Sequence, residues 1–208
     1  MVTRQMSPGE VLYETGAPFT HAIFPHTGAI SLMTEMEGGR SIEKASVGRE
    51  GFVGLALVMG GRHALSRSTV QVAGYASWLS LDDLDAAHVE FSCVRNAMQN
   101  YARAFIVQLM ESVACNSLHN AEQRVARWLL EASDRMGDEA FLIKQDSLSH
   151  ILGLRRATVS EACSRFKDEG VIRYRRGLLM ITDREALERR ACGCYGRIRN
   201  FRVTSPAT

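Results

Sequence analysis

Gln145-Asp146-Ser147-Leu148-Ser149-His150-Ile151-Leu152-Gly153-Leu154-Arg155-Arg156-Ala157-Thr158-Val159 is the stretch on which the reading of this chain turns. Its first eight residues make a short amphipathic helix with Leu148, Ile151 and Leu152 on the apolar face. Gly153-Leu154 supplies a tight turn, and a second helix opens at Arg155. Val159, Ala162, Cys163 and Phe166 give that helix the i, i+3, i+4, i+7 stripe of a helix lying on a core. Gly170 follows it, as glycine does where a left-handed cap is wanted. Two β-rich runs, Val171 to Tyr174 and Leu178 to Thr182, flank Arg175-Arg176-Gly177. The whole reads as a winged helix-turn-helix, a known way of presenting a helix to the major groove. Arg155, Arg156, Thr158, Ser160, Glu161, Ser164 and Lys167 are then the candidates for base and phosphate contact. Arg175 and Arg176 are the backbone-contacting tip of the wing.

Charge along the chain supports this. From Lys144 onward there are fourteen Lys/Arg against seven Asp/Glu, a net of +7, while residues 1 to 143 carry eleven against sixteen, a net of −5. The whole-chain value of +2 therefore conceals a basic module joined to an acidic one. Displacing counterions from a polyanion needs local positive charge, and only the C-terminal part has it. At 208 residues, with 46% hydrophobic and 23% charged residues, the composition is that of a globular protein of one or two domains. The longest nearly uncharged apolar run, Phe52 to Gly60, is too short to span a bilayer, and no secretory stretch is evident at the start. Five scattered cysteines (93, 115, 163, 192 and 194) suit reduced thiols in a cytoplasm better than a disulfide framework.

Upstream, the first ninety residues read as short strands. Val11 to Tyr13, His21 to Pro25, Ala29 to Thr34, Ser41 to Val47 and Ser68 to Ala73 are separated by turn signals. Among these are Pro8-Gly9, Thr27-Gly28 and Glu37-Gly38-Gly39. That spacing argues for an antiparallel sandwich or jelly roll. Trp78 to Leu84 closes the region, with a helical turn at Asp85 to His88. From Ser92, a plausible N-cap, to about Ser117 there is neither proline nor glycine. Met98, Tyr101, Ala102, Phe105, Leu109 and Val113 form a near-heptad seam, widened by Val94 and Ile106, which invites pairing with a second copy; the stripe is wide enough for one face to pack on the chain's own β domain as well. A second helix is expected over 121–136, burying Val125, Trp128, Leu129 and Ala132 and ending at Gly137-Asp138. Phe141-Leu142-Ile143 is a short strand before the helix-turn-helix. The fold class is thus α+β: a β-roll over 1–91, a dimerisation helix over 92–117, a winged helix-turn-helix over 118–190 and a tail over 191–208.

This order of parts resembles the Crp/Fnr family of bacterial transcription regulators over nearly the whole chain. The resemblance rests on Pro8-Gly9-Glu10, the turn Gly48-Arg49-Glu50-Gly51-Phe52-Val53-Gly54, and the runs from Glu122 to Leu130 and from Leu152 to Val159. Ala191-Cys192-Gly193-Cys194-Tyr195 is similar to the tail of a subgroup whose effector is generally not established. The resemblance implies a homodimer that binds two-fold symmetric double-stranded DNA near promoters, with RNA polymerase as a further partner and a small-molecule effector on the β-roll. It also implies that Arg156 reads guanine through O6 and N7. Ala157 and Glu161 depart from the family pattern, so the family's half-site does not transfer. Arg155 stands where a capping serine often sits, which leaves that helix N-terminus open to a phosphate.

The effector site implied by the resemblance comprises Gly54, Leu55, Arg67 and Ser68. Cyclic-nucleotide-binding members place a glutamate where this chain has Leu55, and an apolar residue cannot accept a ribose hydroxyl; an unpaired buried hydroxyl costs about 1–3 kcal/mol. The sequence thus disfavours cyclic AMP, and Arg67 is expected at a surface loop or beside a carboxylate. Cysteines near the N-terminus that could hold an iron–sulfur cluster are lacking, and Cys192 with Cys194 are too few and too close for a tetrahedral zinc site. No metal site and no catalytic residue is expected. The alternative is a small-molecule-binding or enzymatic jelly roll whose helical tail serves assembly. His21, His26 and His63 lack the His-x-His spacing of metal-dependent jelly-roll enzymes, and that reading leaves the basic module without a role.

Overall fold

The computed structural model describes residues 1–36, 41–137 and 140–204. The elements in order are β1 (Val2–Met6), β2 (Val11–Tyr13), β3 (His21–Pro25), β4 (Ala29–Glu35), β5 (Ser41–Val47), α1 (Leu55–Val58), β6 (Arg67–Val72) and β7 (Gly74–Ser80). Then come α2 (Leu81–Glu90), α3 (Ser92–Leu118), α4 (Ala121–Met136), β8 (Ala140–Leu142), α5 (Gln145–Leu152) and α6 (Arg156–Asp168). β9 (Ile172–Arg175), β10 (Leu178–Ile181), α7 (Arg184–Arg190) and α8 (Gly193–Thr204) complete the chain. The first seven strands form two antiparallel sheets, β1-β7-β3 and β2-β6-β4-β5. Between them lie Met6, Ile23, Ile30, Val47, Val70 and Ala76. Along β6 the alternation is strict: Ser68, Val70 and Val72 are buried, while Arg67, Thr69 and Gln71 are not.

Three expectations are corrected here. β1 carries no apolar alternation and is exposed at four of its five positions, so its sequence gives no strand signal; pairing from Val2↔Trp78 to Met6↔Gly74 makes it one. The run Trp78 to Leu84 divides, because the Ser80 hydroxyl accepts from the Asp83 amide and caps α2. Ser92 is the first residue of α3 rather than its cap, which is Phe91 with no side-chain cap bond. The expected turn Glu37-Gly38-Gly39, and Asp138, lie outside the described residues.

A fourth correction bears on assembly. Met98 of the expected seam packs with Ala22, Phe52 and Leu84, and Phe105 lies in the β-roll core, with Tyr101 and Leu109 half-buried against it. Beside them Gln108 donates to the Ser46 carbonyl at 3.1 Å. That face of α3 is therefore occupied within the protomer. The large apolar residues left outward are Ile106, Met110 and Val113, at 50%, 66% and 69% exposure, with Leu118 also exposed at the helix end. Gln99, Arg103 and Ser117, also exposed, extend them in alternating steps of four and three. The heptad period is as read, but its phase is displaced. A stripe this wide contains two seams, and apolar spacing does not distinguish them.

α4 begins at a full capping box, Asn120 with Gln123, and buries Val125, Trp128, Leu129 and Ala132 in the core of the C-terminal domain. That core is shared with α5, α6, the sheet β8-β10-β9, and Ala29 and Val72 of the β-roll. The segment read as a tail is instead α8, which packs along α3 and α4. Arg135 of α4 is among the largest fully buried side chains; its Nε donates to Glu50 at 2.8 Å and its Nη2 to the Ser46 carbonyl at 3.2 Å. A Cβ at Gly48 would overlap the Arg135 stem, and one at Gly51 would overlap the Tyr101 ring. The Gly48-x-x-Gly51 turn is bare because both helices press on it.

Candidate nucleic-acid interface and sensor pocket

α6 buries Val159, Ala162, Cys163 and Phe166, which turns Arg155, Arg156, Ala157, Glu161, Ser164 and Lys167 out to solvent. Thr158 and Ser160 are half-buried at the edges of that face. Arg155 is the N-cap and makes no side-chain cap bond, so the first-turn amides are open to an anion. Glu161 pairs with Arg165 at 2.5 Å, and Arg165 reaches on to Glu122 at 3.2 Å.

Beyond α6 the hairpin β9–β10 turns at Arg176-Gly177, both with positive φ (50° and 85°), the geometry of a two-residue type I′ turn. Asparagine or glycine is usual at the first of these positions, and an arginine held left-handed costs about 1–2 kcal/mol. Among the described residues Arg176 is the sole non-glycine with positive φ. Its side chain is exposed at the wing tip.

The arginines of this domain fall into two sets. Arg165, Arg184, Arg190, Arg197 and Arg199 all sit in ion pairs. Arg155, Arg156, Lys167, Arg175 and Arg176 take part in none among the described residues. The unpaired cations lie on the exposed side of α6 and on the β9–β10 hairpin, where exposed Arg173 is also without an ion pair among the described residues.

In the β-roll, Gly54, Leu55 and Ser68 of the expected effector site line a cavity of about 190 Å³. Phe19, Leu32, Val53, Phe105 and Leu109 complete an apolar wall, with Lys44 the charged residue of the lining. Arg67 is absent from it: the alternation of β6 turns the guanidinium to the opposite side, where it pairs with Glu35 and, at 3.3 Å, with Glu14. The pairing with a carboxylate is as expected, and the inclusion of Arg67 in the pocket is corrected.

Sequence reasoning missed two groupings. Glu43 of β5 is half-buried between the β-roll and α4, accepting from the Ser31 hydroxyl and from Trp128 Nε1 at 3.3 Å. Burial pushes its carboxyl above the usual carboxylate range. Beside it Glu131 bridges Arg127 at 2.6 Å and Arg135 at 3.5 Å. The second grouping corrects the reading that Cys192 and Cys194 stand alone. Cys115 and His119, one turn apart at the end of α3, meet them, and all four ligand-capable atoms lie within 4.8 Å of one another. Cys115 Sγ is 3.5 Å from Cys192 Sγ, and Cys194 Sγ is 3.6 Å from His119 Nδ1. The Cys115 thiol donating to Cys192 raises the first and lowers the second. An i, i+4 Cys/His pair was the available signal, but its partners are 73 or more residues away.

Residues 123–190 match the family model described as Crp-like helix-turn-helix domain. No curated protein matches the chain. Among solved structures it is similar to FixK2 from Bradyrhizobium japonicum, at 17% identity and a TM-score of 0.78 over 92% of this chain and 97% of that one. It is also similar to TTHB099, a transcriptional regulator of the CRP family from Thermus thermophilus, at 15% identity and 0.74 over 90% and 96%. The c-di-GMP responsive global regulator CLP of Xanthomonas campestris matches at 12% identity and 0.67 over 86% and 93%. The fold is that of the Crp/Fnr transcription regulators, and its C-terminal part is a Crp-like helix-turn-helix domain. Among the described residues no helix is long and apolar enough to cross a membrane.

Proposed function

We propose that this chain is a homodimeric, sequence-specific DNA-binding regulator of transcription, acting in the cytoplasm rather than as an enzyme. The observation that carries the reading is the exposed cationic set: Arg155, Arg156, Lys167, Arg175 and Arg176 stand out from α6 and the wing without an ion pair among the described residues, whereas Arg165, Arg184, Arg190, Arg197 and Arg199 are paired. Arg156 is the guanine reader and the wing arginines are phosphate contacts. Thr158, Ser160 and Ser164 hold register on the backbone. Two copies pair along Ile106, Met110 and Val113, so that two α6 helices address successive major grooves. RNA polymerase is the further partner that such a role requires. The effector that fits the β-roll cavity is small and largely apolar, with at most one anionic group for Lys44. A gel shift against genomic fragments at several salt concentrations tests this reading. Tight, salt-steep, sequence-selective retardation is expected; weak retardation equal for all fragments would return the chain to the jelly-roll alternative.

A further inference from the structure

α3 ends at Leu118, His119 has extended backbone (φ −107°, ψ 145°), and α4 begins at Ala121. The chain thus passes from the long helix to the DNA-binding domain through a two-residue joint. Cys115 and His119 face one way from that joint, and the corner between α7 and α8 brings Cys192 and Cys194 against them. We propose that Cys115, His119, Cys192 and Cys194 hold one tetrahedral metal ion of the zinc class, which pins the α7–α8 corner to the α3–α4 joint.

Three observations support the assignment. The first is metric. With Zn–S about 2.3 Å and Zn–N about 2.0–2.1 Å, tetrahedral geometry sets ligand atoms roughly 3.5–3.8 Å apart. The Cys115–Cys192 and Cys194–His119 separations are 3.5 and 3.6 Å. Four atoms this close surround a single ion and leave no room for a multi-iron core. The second is enclosure. Cys115, Cys192 and Cys194 are buried as a cluster of their own, apart from the apolar cores. Three buried thiols with a half-buried imidazole supply four protein ligands, the number a structural site uses. The third is charge. Arg124 is buried, its Nη2 bonds the Leu152 carbonyl, its Nε has no hydrogen-bond partner, and no carboxylate pairs with it among the described residues. A buried guanidinium without an anion is costly. The groups whose negative charge would act on it are Cys115 and Cys192. Three thiolates around a divalent ion leave one net negative charge, which answers Arg124. Arg197 donates to Cys194 at 3.4 Å while its Nε is held by Glu111 at 2.8 Å, an outer contact of the kind that orients a ligand. A disulfide between Cys115 and Cys192 would use two of the four groups and leave the guanidinium unanswered.

The expected consequence rests on the DNA-binding reading: with the ion bound, the joint that sets the direction of α4 and α6 is held, and its loss lowers DNA affinity. The test uses the full chain without a polyhistidine tag, purified under anaerobic reducing conditions. One equivalent of zinc per chain is expected by elemental mass spectrometry. Cobalt(II) added to the chelator-stripped chain should develop thiolate-to-cobalt charge-transfer absorption with intense tetrahedral visible bands. Cys194→Ser and His119→Gln should each weaken metal binding at least tenfold, whereas Cys93→Ser, at an exposed cysteine, should leave it unchanged. The wild-type cobalt spectrum keeps the test valid if a variant does not fold. A reduced chain with no metal and no charge-transfer band overturns the site, as does an intact mass lower by two hydrogens with Cys115 and Cys192 in one cross-linked peptide. If metal binds but its removal leaves the gel shift unaltered, the coupling to DNA is refuted. If metal binds and no DNA binds in either state, the DNA reading is what has failed.

Discussion

Arg156 stands at the exposed first turn of α6 beside Ala157, whose methyl cannot make a polar base contact. Replacing Arg156 with Ala is expected to cost about 1–3 kcal/mol on the specific site and to relax preference at one base pair per half-site. Equal weakening on all sequences, measured by competition, would transfer the reading role elsewhere. Arg176 should behave in the opposite sense. Arg176→Asn relieves a strained left-handed residue and should raise the melting temperature, while flattening the salt dependence of DNA binding by about one unit per lost phosphate contact. Glu43 gives a pH signature. Its carboxyl titrates higher folded than unfolded, so the native chain holds the extra proton and stability falls as pH rises from the ordinary carboxylate value. Glu43→Gln should remove that slope; denaturant titrations at acidic and neutral pH showing the same slope in both proteins would refute a raised Glu43 carboxyl.

Among the elements, α3 serves two partners with two faces. Phe105 belongs to the β-roll core, so Phe105→Ala should destabilise the fold by about 3–5 kcal/mol. Ile106 and Met110 belong to the outward face, so their replacement by glutamate should leave the melting transition of the fold in place and abolish association. Sedimentation of the double variant tests this; a dimer that survives it is held by some other surface. Loss of pairing should also abolish tight operator binding, because half-sites then bind without avidity. The wing is the other informative element. β9 and β10 are legible from β-branched runs and a glycine, but the left-handed φ of Arg176 is not, since arginine carries no preference for it.

Across the whole molecule, the β-roll and the DNA-binding domain are joined by a polar seam rather than by a linker. Arg135, Glu50, Glu131, Arg127 and Glu43 lie between them, with Trp128 reaching across to Glu43. Buried charges of this kind are costly to separate, so this seam holds α4 against the β-roll. On the proposed reading, the β-roll cavity sets which effectors fit. Leu55 lines it and Arg67 does not, so cyclic AMP finds neither its ribose acceptor nor its phosphate cation. Calorimetry should show binding no tighter than about millimolar. A micromolar heat signal would mean that Lys44 and Ser68 suffice for the phosphate.

The local features are readable in the sequence because they are set by short-range periodicity. The apolar stripes of α5 and α6, the glycine turn between them, the limits of α4 and the β-rich first ninety residues all follow from spacing within a few turns. The phase of α3 does not, because which of two apolar seams is covered depends on where the β-roll sits. Nor does β1, whose residues become a strand only when β7 offers its edge. Arg67 and Ser68 are adjacent in sequence but face opposite sides of β6, and only the sheet decides which side is the cavity. The Cys/His cluster is the extreme case: each half is too small to bind anything, and α8 folding back along α3 brings the halves together. Composition and spacing determine what each segment can form; contacts between residues far apart in the chain select which of its groups act together.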